Sequence, residues 1–295
     1  EHRKPLILQG ARQVGKTYSI LEFGRTHYEN VAYFNFETNP KLNETFEENI
    51  SPDYLIPILS HIAGQTIVKE KTLIVFDEVQ LCERALTSLK YFCENAPDYH
   101  IIVAGSLLGV AVNRAKFSFP VGKVDMKTLY PMDMEEFMLA LGEDDLVAQI
   151  KKCFQTDTPL PSALHDAAMQ LYRQYLVVGG MPECVMQFAE TKDYILVRHT
   201  QDTILASYLN DMSKYNNLNE IKKTRLAYDN ITVQLSKKNT RFQYKLIKKG
   251  GRASEFENAI EWLCLSGIVS QVYKVEQIKK PLENYRDIDA FKIYV

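Results

Sequence analysis

The sequence lacks the features that mark membrane, secreted and zinc-containing proteins. Its longest apolar stretch, 101–112, contains Gly105, Ser106 and Gly109, and it is shorter than the roughly 20 apolar residues that span a bilayer. The 5 cysteines include no C-x-x-C pair and the 6 histidines no H-E-x-x-H pattern, so a structural zinc site is not indicated. We therefore expect a cytoplasmic protein in a reducing environment, without a membrane partner.

The sequence also lacks a large excess of either charge, internal repeats and low-complexity segments. Its 35 basic and 37 acidic residues give a formal net charge of −2, so the chain as a whole has no general attraction for nucleic acid. A length of 295 residues favours two or three domains. The charged segment 1–5 leads directly into an apolar strand pattern, which is unlike a signal peptide and compatible with a cut edge.

Apolar segments alternate with helical patterns through the first 130 residues, which predicts an α/β fold with a parallel sheet. The predicted strands are Pro5–Gln9, Asn30–Phe36, Thr72–Phe76, His100–Ala104 and Lys123–Leu129. From Met134 helical periodicity dominates, with turn-forming residues at 155–162 and 178–182, and a long helical pattern then runs to about Asn216. The alternating residues 290–295 predict a strand, and because a strand needs a partner, a cut chain is one expectation here.

The segment GARQVGKT, residues 10–17, fits the phosphate-binding pattern G-x-x-x-x-G-K-[ST]. In such a loop, backbone N–H groups wrap the phosphates, the lysine reaches the outer phosphates, and the hydroxyl binds Mg²⁺. The strand before it and the helix after it favour a P-loop over a chance glycine-rich turn. The predicted ATP-binding residues are Gly10, Ala11, Arg12, Gln13, Val14, Gly15, Lys16, Thr17 and Tyr18, with Lys16 also catalytic and Thr17 also a Mg²⁺ ligand.

An acidic pair, Asp77 and Glu78, follows the apolar strand pattern 72–76. Because ligands of parallel sheets bind at the carboxyl ends of the strands, we expect Asp77 to hold Mg²⁺ and Glu78 to polarise the attacking water. In NTPases with a glutamate at this place, the next strand, here 100–104, inserts between the loop strand and the aspartate strand. Ser106 would then lie beside the γ-phosphate as a polar sensor, or alternatively cap the next helix.

Five segments occur in a characteristic order, namely 10–17, 76–80, 104–109, 129–137 and 179–183. Together they resemble the bacterial and archaeal AAA-type ATPases of the AAA_14 family, which carry a C-terminal DUF4143 region. The resemblance implies an AAA+-like ATPase core, a helical segment, a winged-helix-like segment and a domain similar to restriction endonucleases. The implied boundaries are 1–139 for the ATPase domain, 140–218 for the helical segment, 219–276 for the winged-helix-like segment and 277–295 for the start of a truncated C-terminal domain.

Members of this family often carry a Gly-Arg pair just before the segment 129–137, where this sequence has Gly122 and Lys123. A lysine supplies positive charge without the planar fork of an arginine, so an arginine finger is not expected at this position. The remaining candidates for such an arginine are Arg12, Arg114 and Arg198.

Positive charge is concentrated between Lys222 and Arg252. This stretch holds ten basic residues against one acid, Asp229, the basic ones being Lys222, Lys223, Arg225, Lys237, Lys238, Arg241, Lys245, Lys248, Lys249 and Arg252. With the helix pattern 254–265 and the strand pattern 268–275 it resembles a winged helix whose face suits DNA phosphates. The alternatives are a solvated helical face or a surface for a protein partner.

Two further groups of residues are interpreted as structural. The segment 179–183 is predicted to be a sharp turn between helices, with proline starting the second one. Tyr208, Asp211 and Tyr215 lie at helical spacing and are expected to serve packing and surface.

The leading hypothesis is a Mg²⁺-dependent ATPase whose hydrolysis acts as a conformational switch coupled to a DNA or protein partner. Glu78 favours it. The alternative, favoured by the basic stretch, is a nucleotide-regulated nucleic-acid-binding or nuclease-associated module with little turnover. The sequence is also compatible with an oligomer.

Overall fold

The computed structural model describes residues 3–105, 120–215, 218–238 and 241–295. Contacts divide the chain into a first unit, residues 1–12, 16–128 and 209–295, and a second unit, residues 13–15 and 129–208. Within the described ranges, none of the helices combines the length and the apolar character that crossing a membrane requires. The cytoplasmic location stays a prediction.

A parallel five-stranded sheet, in the order β2-β3-β4-β1-β5, forms the centre of the first unit. The strands are β1 (Leu6–Gln9), β2 (Asn30–Asn35), β3 (Thr72–Asp77), β4 (His100–Gly105) and β5 (Asp125–Thr128). All positions of β3 are buried, as expected where helices cover both faces of a parallel sheet. β4 lies between β3 and β1, which confirms the predicted insertion.

Among the residues that the structure describes, four α-helices and one short 3₁₀ helix accompany this sheet. They are α1 (Lys16–His27), α2 (Lys41–Glu48), α3 (Pro52–Ala63), the 3₁₀ helix Val79–Leu81 and α4 (Glu83–Asn95). A β-carbon on Gly24 would lie 2.6 Å from Cγ2 of Val31 and 3.0 Å from Cδ2 of Leu73, so α1 packs against the sheet at very short range. This close packing holds in place the helix that begins at Lys16.

The second unit is helical, as predicted. Its helices are α5 (Met134–Ala140), α6 (Asp144–Gln155), α7 (Ser162–Val178), α8 (Pro182–Thr191) and the greater part of α9 (Tyr194–Tyr215). The long helical pattern predicted to run to about Asn216 is helical in the structure, where it consists of the two helices α8 and α9. Lys192 adopts a left-handed conformation with φ of 55°, and the carboxylate of Asp193 accepts a hydrogen bond from the N–H of Ile195 at 2.7 Å, which starts a new helix.

The turn between α7 and α8 has the predicted form. Gly179 has a φ of 74°, and Pro182 is the first residue of α8. The carbonyl of Gly180 accepts a hydrogen bond from the N–H of Met132 at 2.7 Å, and a β-carbon on Gly180 would lie 2.0 Å from the Met132 carbonyl oxygen. The two later segments of the resemblance, 129–137 and 179–183, therefore pack directly on each other.

The C-terminal part of the first unit combines helices with a two-stranded antiparallel sheet. Its elements are α10 (Leu218–Leu235), α11 (Tyr244–Ile247), α12 (Ala253–Leu265), β6 (Ser270–Val275), the 3₁₀ helix Leu282–Tyr285 and β7 (Arg286–Tyr294). We define its apolar cluster as the C-terminal core, whose buried residues are Met212, Ala227, Ile231, Phe242, Ala259, Ile260, Trp262, Leu263, Val269, Phe291 and Ile293. The strand predicted at 290–295 is part of β7, which pairs with β6. The domain boundaries stay predictions.

Candidate functional site

The P-loop connects β1 to α1 and adopts the backbone conformation that its glycines favour. Gly10 and Gly15 have φ values of 152° and 90°, and Gln13 also has a positive φ, 64°. Glycine reaches such conformations without the penalty of a β-carbon. The side chains of Ala11 and Val14 are buried, so these two residues can offer a ligand only their backbone groups. Tyr18, by contrast, is 74% exposed.

Lys16 lies buried at the start of α1, with 7% of its surface exposed. Its Nζ donates to the carbonyl oxygens of Gly10 and Ala11, at 3.0 and 2.7 Å. Burial lowers the pKa of Lys16 to about 8, although the carboxylates of Glu78 and Asp77 act in the opposite direction. The ammonium group is thus held at the loop by two neutral acceptors, which an anionic phosphate oxygen can replace with a stronger, charge-assisted hydrogen bond.

The two residues predicted to bind Mg²⁺, Thr17 and Asp77, contact each other in the structure. Oγ1 of Thr17 donates to Oδ2 of Asp77 at 2.8 Å, and Asp77 is buried at the end of β3. The hydroxyl of Tyr33 donates to the same oxygen at 2.7 Å, and burial raises the pKa of Tyr33 to about 12, so this donor keeps its proton at neutral pH. A hydroxyl and a carboxylate are oxygen ligands of the kind Mg²⁺ takes alongside phosphate oxygens.

Glu78 follows Asp77 at the junction between β3 and the 3₁₀ helix. Its φ of 52° is left-handed, a conformation that costs a residue other than glycine about 1–3 kcal/mol and that is concentrated at functional sites. Nε2 of Gln80 donates to Oε2 of Glu78, and the Glu78 N–H donates to Oδ1 of Asp77 at 3.0 Å. The structure thus places the predicted metal carboxylate and the predicted general base side by side. The predicted sensor Ser106 lies outside the described residues.

Arg12 lies in the loop and contacts a residue that sequence reasoning assigned to packing and surface. Its Nη1 donates to both carboxylate oxygens of Asp211, at 3.0 and 2.9 Å. Asp211 is 3% exposed, so its expected place on the surface is wrong, because the guanidinium stabilises the carboxylate in the interior. Tyr208 is buried, as packing requires. Of the other arginine-finger candidates, Arg198 pairs with Asp202 at 2.8 Å, and Arg114 falls in the undescribed range.

Three site residues were missed from the sequence, namely Tyr33, Gln80 and Asp211. Gln80 belongs to the quoted segment 76–80, which carried a signal for it. Tyr33 stands within a predicted strand, where an aromatic side chain ordinarily indicates packing. Asp211 is separated from Arg12 by 199 positions, and no local pattern connects the two.

Two lysines of the basic stretch form ion pairs in the structure. Lys223 pairs with Glu220 at 3.3 Å, and Lys248 pairs with Glu255 at 2.9 Å. Arg241, Lys245 and Arg252 line one open cleft beside α11. We call this cleft, with its three exposed basic side chains, the basic cleft.

Two family models match the chain. The model described as an AAA domain matches residues 2–138, and a model described as a domain of unknown function (DUF8612) matches residues 169–295. A DUF4143 region and a truncated domain are not shown by these matches. No curated protein matches the chain by sequence.

The chain is similar to several solved structures, of which the first named here supports the fold. A Walker-type ATPase of Pyrococcus abyssi has a TM-score of 0.58 and 13% identity, covering 99% of this chain and 89% of that chain. The ORC2 protein of Aeropyrum pernix has a TM-score of 0.49 and 12% identity, covering 99% and 84%. The RuvB Holliday junction branch migration motor of Thermotoga maritima has a TM-score of 0.37 and 13% identity, covering 92% and 82%. Residues 2–138, which form the parallel α/β sheet and its helices, thus match the model of an AAA domain, and residues 169–295 match the model of a domain of unknown function.

Proposed function

We propose that this protein binds Mg-ATP, hydrolyses it, and uses the hydrolysis cycle as a conformational switch coupled to a DNA or protein partner. The observation that carries the proposal is the 2.8 Å hydrogen bond between Thr17 and Asp77. These residues are 60 positions apart and come from the start of α1 and the end of β3. The hydroxyl of the P-loop pattern and the carboxylate at the end of the strand therefore lie next to each other. Nucleotide-bound Mg²⁺ requires oxygen ligands of these two kinds at one place.

In this proposal the loop and the carboxylates have separate tasks. The backbone N–H groups of residues 10–17 bind the phosphates, and Lys16 exchanges the loop carbonyls for phosphate oxygens. Thr17 and Asp77 would hold Mg²⁺, which when bound neutralises phosphate charge. Tyr33 keeps the Asp77 carboxylate oriented through its own hydrogen bond.

Glu78 is the proposed general base. Its carboxylate accepts a proton from the water whose oxygen bonds to the γ-phosphorus, while the bond to the bridging oxygen breaks and ADP leaves. Gln80 holds one oxygen of this carboxylate, so it acts as a positioning residue for Glu78.

The direct test is phosphate release from ATP by the full chain, with and without Mg²⁺ and duplex DNA. We expect turnover that needs Mg²⁺, and we expect Asp77→Asn to weaken both hydrolysis and the Mg²⁺-dependent part of ATP binding, since a metal contact acts on ground state and transition state alike. Asp53→Asn, in the first turn of α3, is the matched control and should behave as the parent. A folded parent that releases no phosphate under any of these conditions contradicts hydrolysis.

The second candidate function is a nucleotide-regulated nucleic-acid-binding or nuclease-associated module with little turnover. The basic cleft favours it, because three exposed cations face one opening. The helix α12 and the strand β6 also lie at the helix and strand patterns 254–265 and 268–275, on which the resemblance to a winged helix rests. Phosphate contacts of this kind are electrostatic and independent of base sequence.

If the basic cleft binds DNA, affinity for a duplex should fall steeply between about 50 and 200 mM salt. Replacing Lys245 and Arg252 together by glutamine should reduce the slope of log affinity against log salt by about 2, since each phosphate contact contributes about 0.9. Fluorescence anisotropy with a labelled duplex measures both quantities. Lys223→Gln, which removes a lysine already paired with Glu220, is the control. A flat salt response would favour a protein partner or a solvated face.

A further inference from the structure

A partly buried ion pair connects the P-loop to the end of α9. Nη1 of Arg12 reaches both oxygens of Asp211, and the side chains are 33% and 4% exposed. The charge of a buried carboxylate needs compensation, and losing the Arg12 guanidinium would remove part of it. The pair therefore couples the position of the loop to the position of Asp211.

A second contact joins the neighbouring loop position to the same part of the chain. Gly267 lies in the turn between α12 and β6 with a φ of 75°, and a β-carbon built on it would lie 3.1 Å from the backbone nitrogen of Ala11. The Gly267 N–H donates to the Cys264 carbonyl at 3.0 Å, which holds the turn on the end of α12. Backbone thus packs against backbone at Ala11, next to the ion pair of Arg12.

Both contacts lead into the C-terminal core. Met212, which follows Asp211, is 1% exposed, and Leu263, four positions before Gly267, is fully buried. Both belong to the C-terminal core, together with Trp262 and Phe291. A close-packed core has low compressibility and transmits displacement. A backbone shift at residues 11 and 12 is therefore expected to displace the residues of the C-terminal core together.

We infer that Asp211 and the phosphates of a bound nucleotide compete for Arg12, so that nucleotide binding loosens the hold of the P-loop on the C-terminal core. This inference rests on the proposed nucleotide binding. An arginine fork matches phosphate as well as carboxylate, and it cannot serve both in full. Coupling between two sites is reciprocal. The factor by which the Asp211 contact weakens nucleotide binding therefore equals the factor by which bound nucleotide weakens the contact between Arg12 and Asp211.

Competition for Arg12 predicts whether each mutation raises or lowers the affinity for nucleotide. Asp211→Asn keeps the shape of the side chain and removes its charge, so it should raise the affinity for a non-hydrolysable Mg-ATP analogue by about tenfold, within the usual range of coupling between sites. Arg12→Gln should lower that affinity, and by a larger factor in the Asp211→Asn background than in the parent, because Arg12 is then committed to the phosphates. The control Asp98→Asn opens the exposed pair with Lys69 and should leave affinity unchanged.

Hydrogen exchange measures the effect of nucleotide on the Asp211 side of the coupling, first in the parent protein and then in Arg12→Gln. Saturation with the analogue should speed amide exchange at residues 209–212 and 263–268 of the parent. In Arg12→Gln these amides should exchange fast already and respond little to nucleotide. Thermal unfolding of each variant verifies that the fold is retained.

The outcomes separate the inference from the proposed function. A folded parent that does not bind the analogue overturns both. If the parent binds the analogue normally, two results overturn the competition alone: an Asp211→Asn affinity equal to or below that of the parent, and exchange at 209–212 that nucleotide slows or leaves unchanged. Either result would show that Arg12 and Asp211 form a permanent structural clamp.

Discussion

Glu78→Gln is expected to retain the affinity for Mg-ATP while hydrolysis falls by a factor of about 10² or more. The amide preserves the size of the side chain and removes the group that accepts the proton of the attacking water. It also leaves an oxygen to accept the hydrogen bond from Gln80. A binding titration beside single-turnover hydrolysis, in which all ATP is bound at the start, measures the two effects separately.

The control for Glu78→Gln is the same substitution at a carboxylate that is near Glu78 in the sequence and has no proposed role in binding or hydrolysis. Glu83, the first residue of α4, fits this purpose, and Glu83→Gln should hydrolyse ATP at the parent rate. Parent-like hydrolysis by Glu78→Gln would remove the general base from the proposed mechanism. It would favour the module that binds nucleotide and turns it over slowly.

Lys16→Ala is expected to weaken the binding of Mg-ATP by about 10²-fold or more, since hydrogen bonds to charged groups contribute about 1.5–3 kcal/mol each and Lys16 can make several. The loss should exceed that of other single changes in the loop, because the ammonium group is already held beside the loop carbonyls of Gly10 and Ala11. Isothermal titration calorimetry with Mg-ATP measures the affinity directly.

The control for this variant is Lys41→Ala, which removes an exposed lysine at the start of α2 and should bind nucleotide as the parent does. A melting temperature close to that of the parent would establish that Lys16→Ala still folds. Unchanged affinity in folded Lys16→Ala would mean that residues 10–17 form a structural turn and bind no phosphate.

The sequence by itself determined the parts of the site that depend on short segments. The P-loop is recognised because its eight residues must follow one another for backbone N–H groups to converge on phosphate. The end of β3 is recognised because a strand covered on both faces is continuously apolar, so the acidic pair after it marks the edge of the sheet. These arguments located Thr17 and Asp77, and the strand order placed β4 between β3 and β1.

Tertiary structure decided the features that join distant segments. The pairing of Arg12 with Asp211 depends on where α9 ends relative to the loop, and the approach of Gly267 to Ala11 depends on how α12 turns into β6. Helical spacing shows that residues share one face of a helix, but it does not show whether that face is exposed or packed against a partner. For this reason the surface position expected for Asp211 was wrong. A buried carboxylate needs hydrogen-bond donors or a cation to stabilise its charge, and for Asp211 one such group, Arg12, comes from a distant segment. That contact is set by the packing of the whole unit and by no local pattern.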